Sequence, residues 1–429
     1  MTNQISLTVT CSLARLAATG LVLFCSAALS ADRPPAEPDP LALEADPAQP
    51  GKPGRAAGST KLFLEGAVGR ATQRYGLGDR TVSRATADLR HAQSFTTSIQ
   101  ATVSARVDAT QPEDMRIGGA VFSLREAYGG WQSTDAGQLL EVGRINLREG
   151  PAYGYNPTDY FRGNALRTVT SANPATQREN RLGTVMLRGQ ALWPTTSLAV
   201  AYAPKLDDRP SEEGWNVDLG ATNDRKRALV TVNQRWTEKV NTQLSFFRQA
   251  GLKWQMGLSG STLLTDALVA HAEWSTGGSS RFGDASVKQR PRAATGLTYT
   301  TASHLSVTTE WHYNGSAVDR GAYKALRAQT PQALPSYYLQ NLVLQNSASR
   351  QAWFIYVTQR DLGMKNLDLT ALTKLNRADN SRLAWLELRY RMDSVDLSLQ
   401  WQHTRGEAGS EFGSVPFRNS AGAVVTAYF

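Results

Sequence analysis

From Lys61 onward the chain alternates between apolar and polar positions with a period of two, the repeat of a strand whose successive side chains point to opposite faces. In Val395–Gln402, Val395, Leu397, Leu399 and Trp401 share one face, and Asp396, Ser398, Gln400 and Gln402 the other. In His304–Tyr313, Leu305, Val307, Trp311 and Tyr313 oppose His304, Ser306, Thr308, Glu310 and His312. Leu383–Arg391 sets Ala384, Leu386, Leu388 and Tyr390 against Glu387, Arg389 and Arg391. Thr184–Trp193 sets Val185, Leu187, Ala191 and Trp193 against Thr184, Arg188 and Gln190. One face is apolar with aromatics near strand ends, and the other is polar and charged. A soluble sandwich also alternates, with its apolar face inward. The aromatic ends, the unbroken series of strands and the lack of helical stretches for βαβ units favour an all-β fold, a transmembrane antiparallel β-barrel facing lipid with its apolar side.

Strands are predicted near 61–73, 82–92, 96–108, 117–131, 138–148, 182–193, 197–206, 228–236, 241–250, 253–260, 266–274, 293–301, 304–313, 350–359, 365–374, 382–391, 395–404 and 420–429. The tally is about 18, and 16 is the other even total that the pattern allows. With Phe429 in the periplasm, the short turns Thr301–His304, Arg360–Met364 and Met392–Ser394 fall on that side. The long connections Thr276–Arg292, Asn314–Arg350 and Arg405–Asn419 then lie outside, and both termini are periplasmic. Parity requires Trp215–Thr222 to belong to an external loop or to extend the following strand. The last strand, Ala421, Ala423, Val425, Ala427 and Phe429, resembles the C-terminal signal read by the barrel-assembly machinery, although Ala427 stands where that signal usually has an aromatic and Tyr428 is one place off.

The N-terminus follows another pattern. Arg15 precedes the apolar run Leu16–Leu29, which closes on Ser26, Ala27, Ala28, Ser30 and Ala31. That order marks residues 1–31 as a cleaved signal peptide. Phe24, bulky and next to Cys25, argues against a lipoprotein acceptor. Residues 32–60, with Pro34, Pro35, Pro38, Pro40, Pro47, Pro50 and Pro53, read as a disordered periplasmic linker before a barrel over 61–429. Both cysteines, Cys11 and Cys25, lie in the signal, so disulfides, thiolate metal sites and cysteine nucleophiles are excluded from the mature chain. Mean hydropathy is −0.36, which excludes a helical membrane protein. The net charge of +9 suits nucleic acid, an anionic membrane or an anionic solute. Export removes nucleic acid and leaves lipopolysaccharide outside or an anionic solute inside.

Candidate chemistry concentrates in one connection. Gly150–Arg181 exceeds the length of a passive loop. It contains the turn former Asn156-Pro157-Thr158-Asp159 and sets Arg162, Arg167, Arg178 and Arg181 against Asp159 and Glu179. It reads either as a constriction folded inward or as an external cover over the mouth. Arg125, Glu126 and Arg144 read as solute contacts or as an ion-pair ladder across strands. Arg188, Arg389 and Arg391 fall on lumen faces, opposed by Glu126, Glu141, Glu310, Glu387 and Asp396. Rings of arginine favour anions in a narrow aqueous space. Asn314–Arg350 is long enough to close the lumen and carries a short helix near Ala322–Ala328. Catalysis has little support. The histidines are His91, His271, His304, His312 and His403, and His304 and His312 flank Glu310. At about 3.3 Å per residue those two are too far apart to share a metal. No hydrolase or zinc spacing is present, so no catalytic residue, metal or cofactor is expected.

Leu124-Arg125-Glu126-Ala127-Tyr128, then Val142-Gly143-Arg144, then Asn156-Pro157-Thr158-Asp159 carry a resemblance. In that order they are similar to a group of proteobacterial outer-membrane porin-like barrels, loosely akin to the alginate-export porins. The likeness covers roughly residues 120–165, and Ile145-Asn146 departs from it where many relatives have Gln. It implies a Gram-negative outer-membrane location and a transport role. The expectation is passage of small hydrophilic, anionic solutes. The alternatives are export of an acidic polysaccharide and, in another class, a structural or adhesive barrel with a closed lumen. Expected partners are outer-membrane lipid, lipopolysaccharide, the assembly machinery acting on the strand that ends in Phe429, and a small solute, but not nucleic acid.

Overall fold

The computed structural model describes residues 58–114, 117–284 and 286–429. The segments expected to be a signal peptide and, before Gly58, a linker lie outside these residues. The elements are β1 (Gly58–Gln73), β2 (Asp79–Ser94), β3 (Ile99–Asp114), β4 (Gly118–Gln132), β5 (Gln138–Ile145), β6 (Thr184–Leu192), β7 (Thr196–Ala203), β8 (Arg227–Thr237), β9 (Val240–Gln249), β10 (Gln255–Thr265), β11 (Leu268–Ser279), β12 (Lys288–Thr300), β13 (Leu305–Asn314), β14 (Gln351–Gln359), β15 (Leu367–Asn376), β16 (Arg382–Arg391), β17 (Val395–Arg405) and β18 (Phe417–Tyr428). Four helical segments lie between strands: α1 (Pro174–Glu179), α2 (Leu219–Thr222), α3 (Arg320–Arg327) and α4 (Ala333–Val343). Every strand pairs antiparallel with its sequence neighbours. β18 pairs with β1, from Phe63↔Tyr428 to Gln73↔Phe417, and closes an 18-stranded barrel. Closure leaves no strand edge open, the condition for a β-structure in lipid.

All eighteen predicted strands are present. β1 starts at Gly58, inside the segment read as linker. β3 runs on to Asp114, and β5 stops at Ile145. The predicted start of β13 needs correction. His304 sits in the turn with φ +61°, where Thr301 N donates to Leu305 O, so it does not share a lumen face with His312. Trp215–Thr222 is not a spanning strand, because its second half is α2, capped by Asp218 accepting from Ala221 N at 3.0 Å.

The two faces divide as the alternation requires. Val68 and Leu399 are 59% and 61% exposed on the outside, whereas Asp88 and Glu310 are 3% and 0% exposed on the inside. One barrel end carries turns of two to seven residues together with both described ends of the chain, and the opposite end carries the long connections. The inner face is not uniformly polar. Met186, Leu229 and Phe247 point inward from β6, β8 and β9 and pack with Ile145 and Phe161. Leucine and phenylalanine are stable on a lumen face only if something dry covers them. Here the cover is the connection 146–183.

β4 contains the other departure from simple alternation. Its register shifts against β3 between Ser104↔Glu126 and Ala105↔Leu124, leaving Arg125 as an extra residue. A bulge of this kind turns two successive side chains to one side. Ser104 and Arg106 point inward and face Glu126 and Ser123, so Arg125 and Glu126 both enter the lumen from adjacent positions.

Candidate functional site: an infolded loop and the cavity beside it

The connection 146–183 lies inside the barrel. Asn156-Pro157-Thr158-Asp159 forms a tight turn, with Asp159 N donating to Asn156 O at 3.3 Å. Two wall carboxylates hold the backbone around it. Glu273 of β11 accepts from Ala152 N at 2.8 Å, Asn156 Nδ2 at 3.1 Å, Thr158 N at 3.1 Å and Thr158 Oγ1 at 2.8 Å. Glu310 of β13 accepts from Tyr153 N at 2.7 Å and Gly154 N at 2.9 Å. His271 Nε2 and His312 Nε2 stand 2.9 and 2.8 Å from its two oxygens. A buried carboxylate is tolerable when several donors replace its water, and here the loop supplies them. Gly154 permits the approach, since a Cβ there would lie 2.6 Å from the Phe354 ring and 2.8 Å from His312. Tyr160 stacks on Phe247 with centroids 4.6 Å apart and seats the far end of the turn.

The histidine cluster was not legible as a row along one strand. Its second member is His271, brought over from β11, while His304 stays in its turn. Both Nε2 atoms face the same carboxylate, and among the described residues no group of His, Cys, Asp and Glu is arranged to hold a metal.

The predicted site residues separate by what they bind. Arg125 pairs with Asp88 and donates to Ser104 Oγ at 2.8 Å and Asn180 Oδ1 at 3.1 Å. Arg106 pairs with Asp108 at 2.9 Å and Asp88 at 3.3 Å, completing a buried ladder over β2, β3 and β4. Glu126 lies 4.0 Å from Arg90. Arg188 meets Glu141 at 2.6 Å, Arg389 meets Glu387 at 2.6 Å, and Arg391 meets Asp368 at 2.7 Å. Asp159 is paired with Arg181.

Arg144 and Arg167, expected beside the pore, are buried elsewhere. Arg144 donates to Gly183 O and Asp218 O at 2.9 Å each. Arg167 donates to Phe122 O at 2.7 Å and lies 3.6 Å from Asp218. The physical reason is the shortness of β5. The upper part of β4 would have a bare edge, so the connection 204–226 covers it, Phe122 N donating to Gly214 O at 2.9 Å. The two arginines fasten that cover.

Arg162 and Arg178 form the remaining class. Arg162 donates to Asn156 O, to Asp159 O at 3.0 Å and to Asn346 Oδ1 at 2.8 Å, and lies 5.1 Å over the Tyr155 ring. Arg178 donates to Glu149 O at 3.1 Å, Gly150 O at 3.3 Å and Ala152 O at 3.4 Å. The bonds these two guanidinium groups make all go to neutral oxygens, so neither is in contact with a carboxylate, although Glu149 and Glu273 lie within the electrostatic reach of Arg178.

Beside the loop is a cavity of about 880 Å³, bounded by 153–181, by α4 and by β14–β18, β1 and β2. Among the described residues its charged lining is Arg84, Arg162, Arg178, Arg181 and Lys374, against Glu411 alone. Arg84 is paired with Glu65, and Lys374 lies 3.8 Å from Glu411. Burial pushes the Glu411 carboxyl above the usual carboxylate range, with Lys374 opposing. α4 belongs to the connection between β13 and β14, whose other helix, α3, lies where a short helix was predicted. Tyr337 and Leu334 of α4 pack with Tyr323 and Leu326 of α3, so the pair narrows the mouth as one body. The sequence reading missed Arg84, Arg90, Arg148 and Lys374. Arg84 and Arg90 share the inward parity of Asp88 and could have been read from it. Arg148 is exposed within the loop, under the opposing electrostatic influence of Arg178 and Arg90 on one side and Glu179 and Glu126 on the other.

No family model matches the sequence, and no curated protein matches it as a relative. Solved structures do match. OccAB1 of Acinetobacter baumannii superimposes with a TM-score of 0.55 at 12% identity, over 87% of this chain and 96% of that one. OccK2 (OpdF) of Pseudomonas aeruginosa, solved in complex with glucuronate, gives 0.56 at 10% identity, over 87% and 98%. OccD3 (OpdP) of the same species gives 0.52 at 11% identity, over 88% and 94%. At these identities the likeness establishes a shared barrel fold.

Proposed function

We propose that this chain is an outer-membrane pore for the passage of small hydrophilic anions. The observation that carries the reading is the 880 Å³ cavity whose lining includes two arginines bonded only to neutral oxygens. Low-dielectric walls focus that charge on whatever passes. The barrels it resembles are outer-membrane porins, and one of them was solved with glucuronate, a small sugar acid. The short turns and both ends of the barrel domain then face the periplasm, and the long connections face outward. The strand ending at Phe429, which closes on β1, is the one handed to the assembly machinery. Lipopolysaccharide surrounds the outer rim. No catalytic role is assigned to the barrel: Glu273 and Glu310 hold the loop backbone, and His271 and His312 bond Glu310.

Export of an acidic polysaccharide fits less well, since two infolded connections divide the bore and a polymer needs it continuous. A closed structural barrel fits less well because the cavity remains beside them. Planar-bilayer recording tests the proposal, with stepwise conductance expected and silence from a folded barrel contradicting it. Liposome swelling should be faster with glucuronate than with an uncharged hexose. Passage of acidic oligosaccharides at a similar rate would favour the export reading.

A further inference from the structure

The outer face of the barrel carries three arginines that meet no acid. Arg382 of β16 and Arg405 of β17 stand directly opposite each other in the register. Both are exposed, and both share the outward phase of Tyr390, Leu397 and Leu399. Side chains opposite each other in an antiparallel pair have Cβ atoms about 4.5–5.5 Å apart, where like charges repel. Arg377 joins them from the end of β15, its N–H donating to Gln351 O at 3.1 Å, and Leu375, two residues before it, faces Arg382. Among the described residues none of the three makes an ion pair or a side-chain hydrogen bond. The acids near them in sequence are committed elsewhere. Asp379 accepts from Tyr338 Oη at 2.9 Å and Glu411 N at 2.7 Å, and Glu407 pairs with Arg327 at 2.9 Å.

Their place on the wall says what they face. Arg405 precedes the connection 406–416, at the barrel end that carries the long connections. Below it on the same face come His403, stacked on Trp401 with centroids 5.9 Å apart, and then Leu399 and Leu397. Trp401, with the directly opposed Trp311 and Trp353, belongs to the aromatic band that marks a membrane interface. Arg405 lies four residues beyond Trp401. At about 3.3 Å per residue and the tilt of a barrel strand, that puts it roughly 10 Å above the band, in the layer of lipid headgroups. Ala421 and Ala423 of β18 face Trp401 and Leu399, so the wall is low beside that column and leaves a trough for a hydrocarbon chain. Cations, then aromatics, then aliphatic side chains follow one another in the order phosphate, interface and chain. Guanidinium groups bind phosphate through paired N–H bonds, and one phosphate here would also relieve the repulsion between the arginines.

We propose that Arg377, Arg382 and Arg405 bind a phosphate of one outer-leaflet glycolipid, the doubly phosphorylated anchor of lipopolysaccharide, with a chain lying along Trp401, Leu399, Ala421 and Ala423. The proposal rests on the outer-membrane reading of the barrel and not on what the barrel conducts. Native mass spectrometry of the full barrel in detergent, with hexa-acylated diphosphoryl lipid A added, tests it. The wild type should retain one lipid A, and Arg382→Gln with Arg405→Gln should hold it about tenfold more weakly. Lipid A stripped of its phosphates should bind the wild type as weakly as intact lipid A binds that variant. Arg70→Gln, which removes an outward charge paired with Asp79 at 2.9 Å, should leave retention unchanged. Single-channel conductance of the double variant should equal that of the wild type, which shows that it is folded. A barrel silent in bilayers that still holds lipid A through these arginines would contradict the pore and support this site. Equal retention by the double variant, equal retention of the dephosphorylated lipid, a loss as large in Arg70→Gln, or a melting temperature raised as much by inorganic phosphate as by lipid A would overturn the proposal.

Discussion

The ladder of Asp88, Arg106, Asp108 and Arg125 and the loop pair Arg162 and Arg178 place the same side chain inside the same barrel with opposite outcomes. In the ladder each guanidinium faces carboxylates at 2.9–3.3 Å or in closer contact, and the region is close to neutral. At the loop the bonded guanidinium protons go to peptide carbonyls and an amide oxygen, with no carboxylate in contact. Satisfying an arginine's hydrogen bonds and cancelling its charge are separate matters. The first decides whether burial is tolerable, the second whether a passing ion feels the field. The ladder is therefore expected to govern stability, and the loop pair to govern selectivity.

The largest effect should come from releasing the loop. Glu273→Gln with Glu310→Gln places amide donors against backbone N–H groups that now meet carboxylates. Bonds to a charged acceptor contribute about 1.5–3 kcal/mol each, so losing several should free residues 150–158. Single-channel conductance should rise severalfold and become noisier. Unchanged, quiet openings would mean that the stacking of Tyr160 on Phe247 alone positions the turn.

Arg125→Ala should act on the fold. It leaves Asp88 buried with only part of its pairing, and breaking a buried ion pair costs about 3–5 kcal/mol. Urea unfolding of the barrel in detergent or vesicles should show that loss, with ion selectivity unaltered. A selectivity change as large as that of the loop variants would blur the distinction drawn above.

A smaller effect is expected from pH. Burial raises the Glu411 carboxyl above its ordinary value, so it takes up a proton before exposed carboxylates do as pH falls from 7. The cavity then loses its acid and should become more anion-selective. The sign for stability follows: with the folded value raised, this group favours the fold at low pH, and that contribution is lost as pH rises through the folded value. Glu411→Gln should be as selective at pH 7 as the wild type is in acid, and should lose most of the pH dependence. A wild-type ratio that falls on acidification would contradict this role.

Much of this molecule was legible in the sequence because a barrel in lipid imposes one rule on every strand. Val395–Gln402 obeys it residue by residue, and eighteen such segments returned the topology. Parity also excluded Trp215–Thr222 as a span. What could not be read were features set by partners distant in sequence. Arg144, Arg162 and Arg167 look alike in the chain, and only the folded connections decide which carbonyls or carboxylates they meet. The bulge at Arg125 depends on pairing with β3, and the approach of His271 to Glu310 depends on two strands and a shared carboxylate. The apolar inner patch of Met186, Leu229 and Phe247 was a readable hint that something covers that wall.

Reversal potential in a salt gradient tests most directly the claim that the two loop arginines on the cavity, Arg162 and Arg178, set selectivity. The wild-type pore should pass anions more readily than cations. Arg162→Gln with Arg178→Gln should bring the permeability ratio toward one, while Arg167→Gln, whose charge lies beside Asp218, should leave it unchanged. A cation-selective wild-type pore, or a ratio unmoved by the double replacement, would contradict the account.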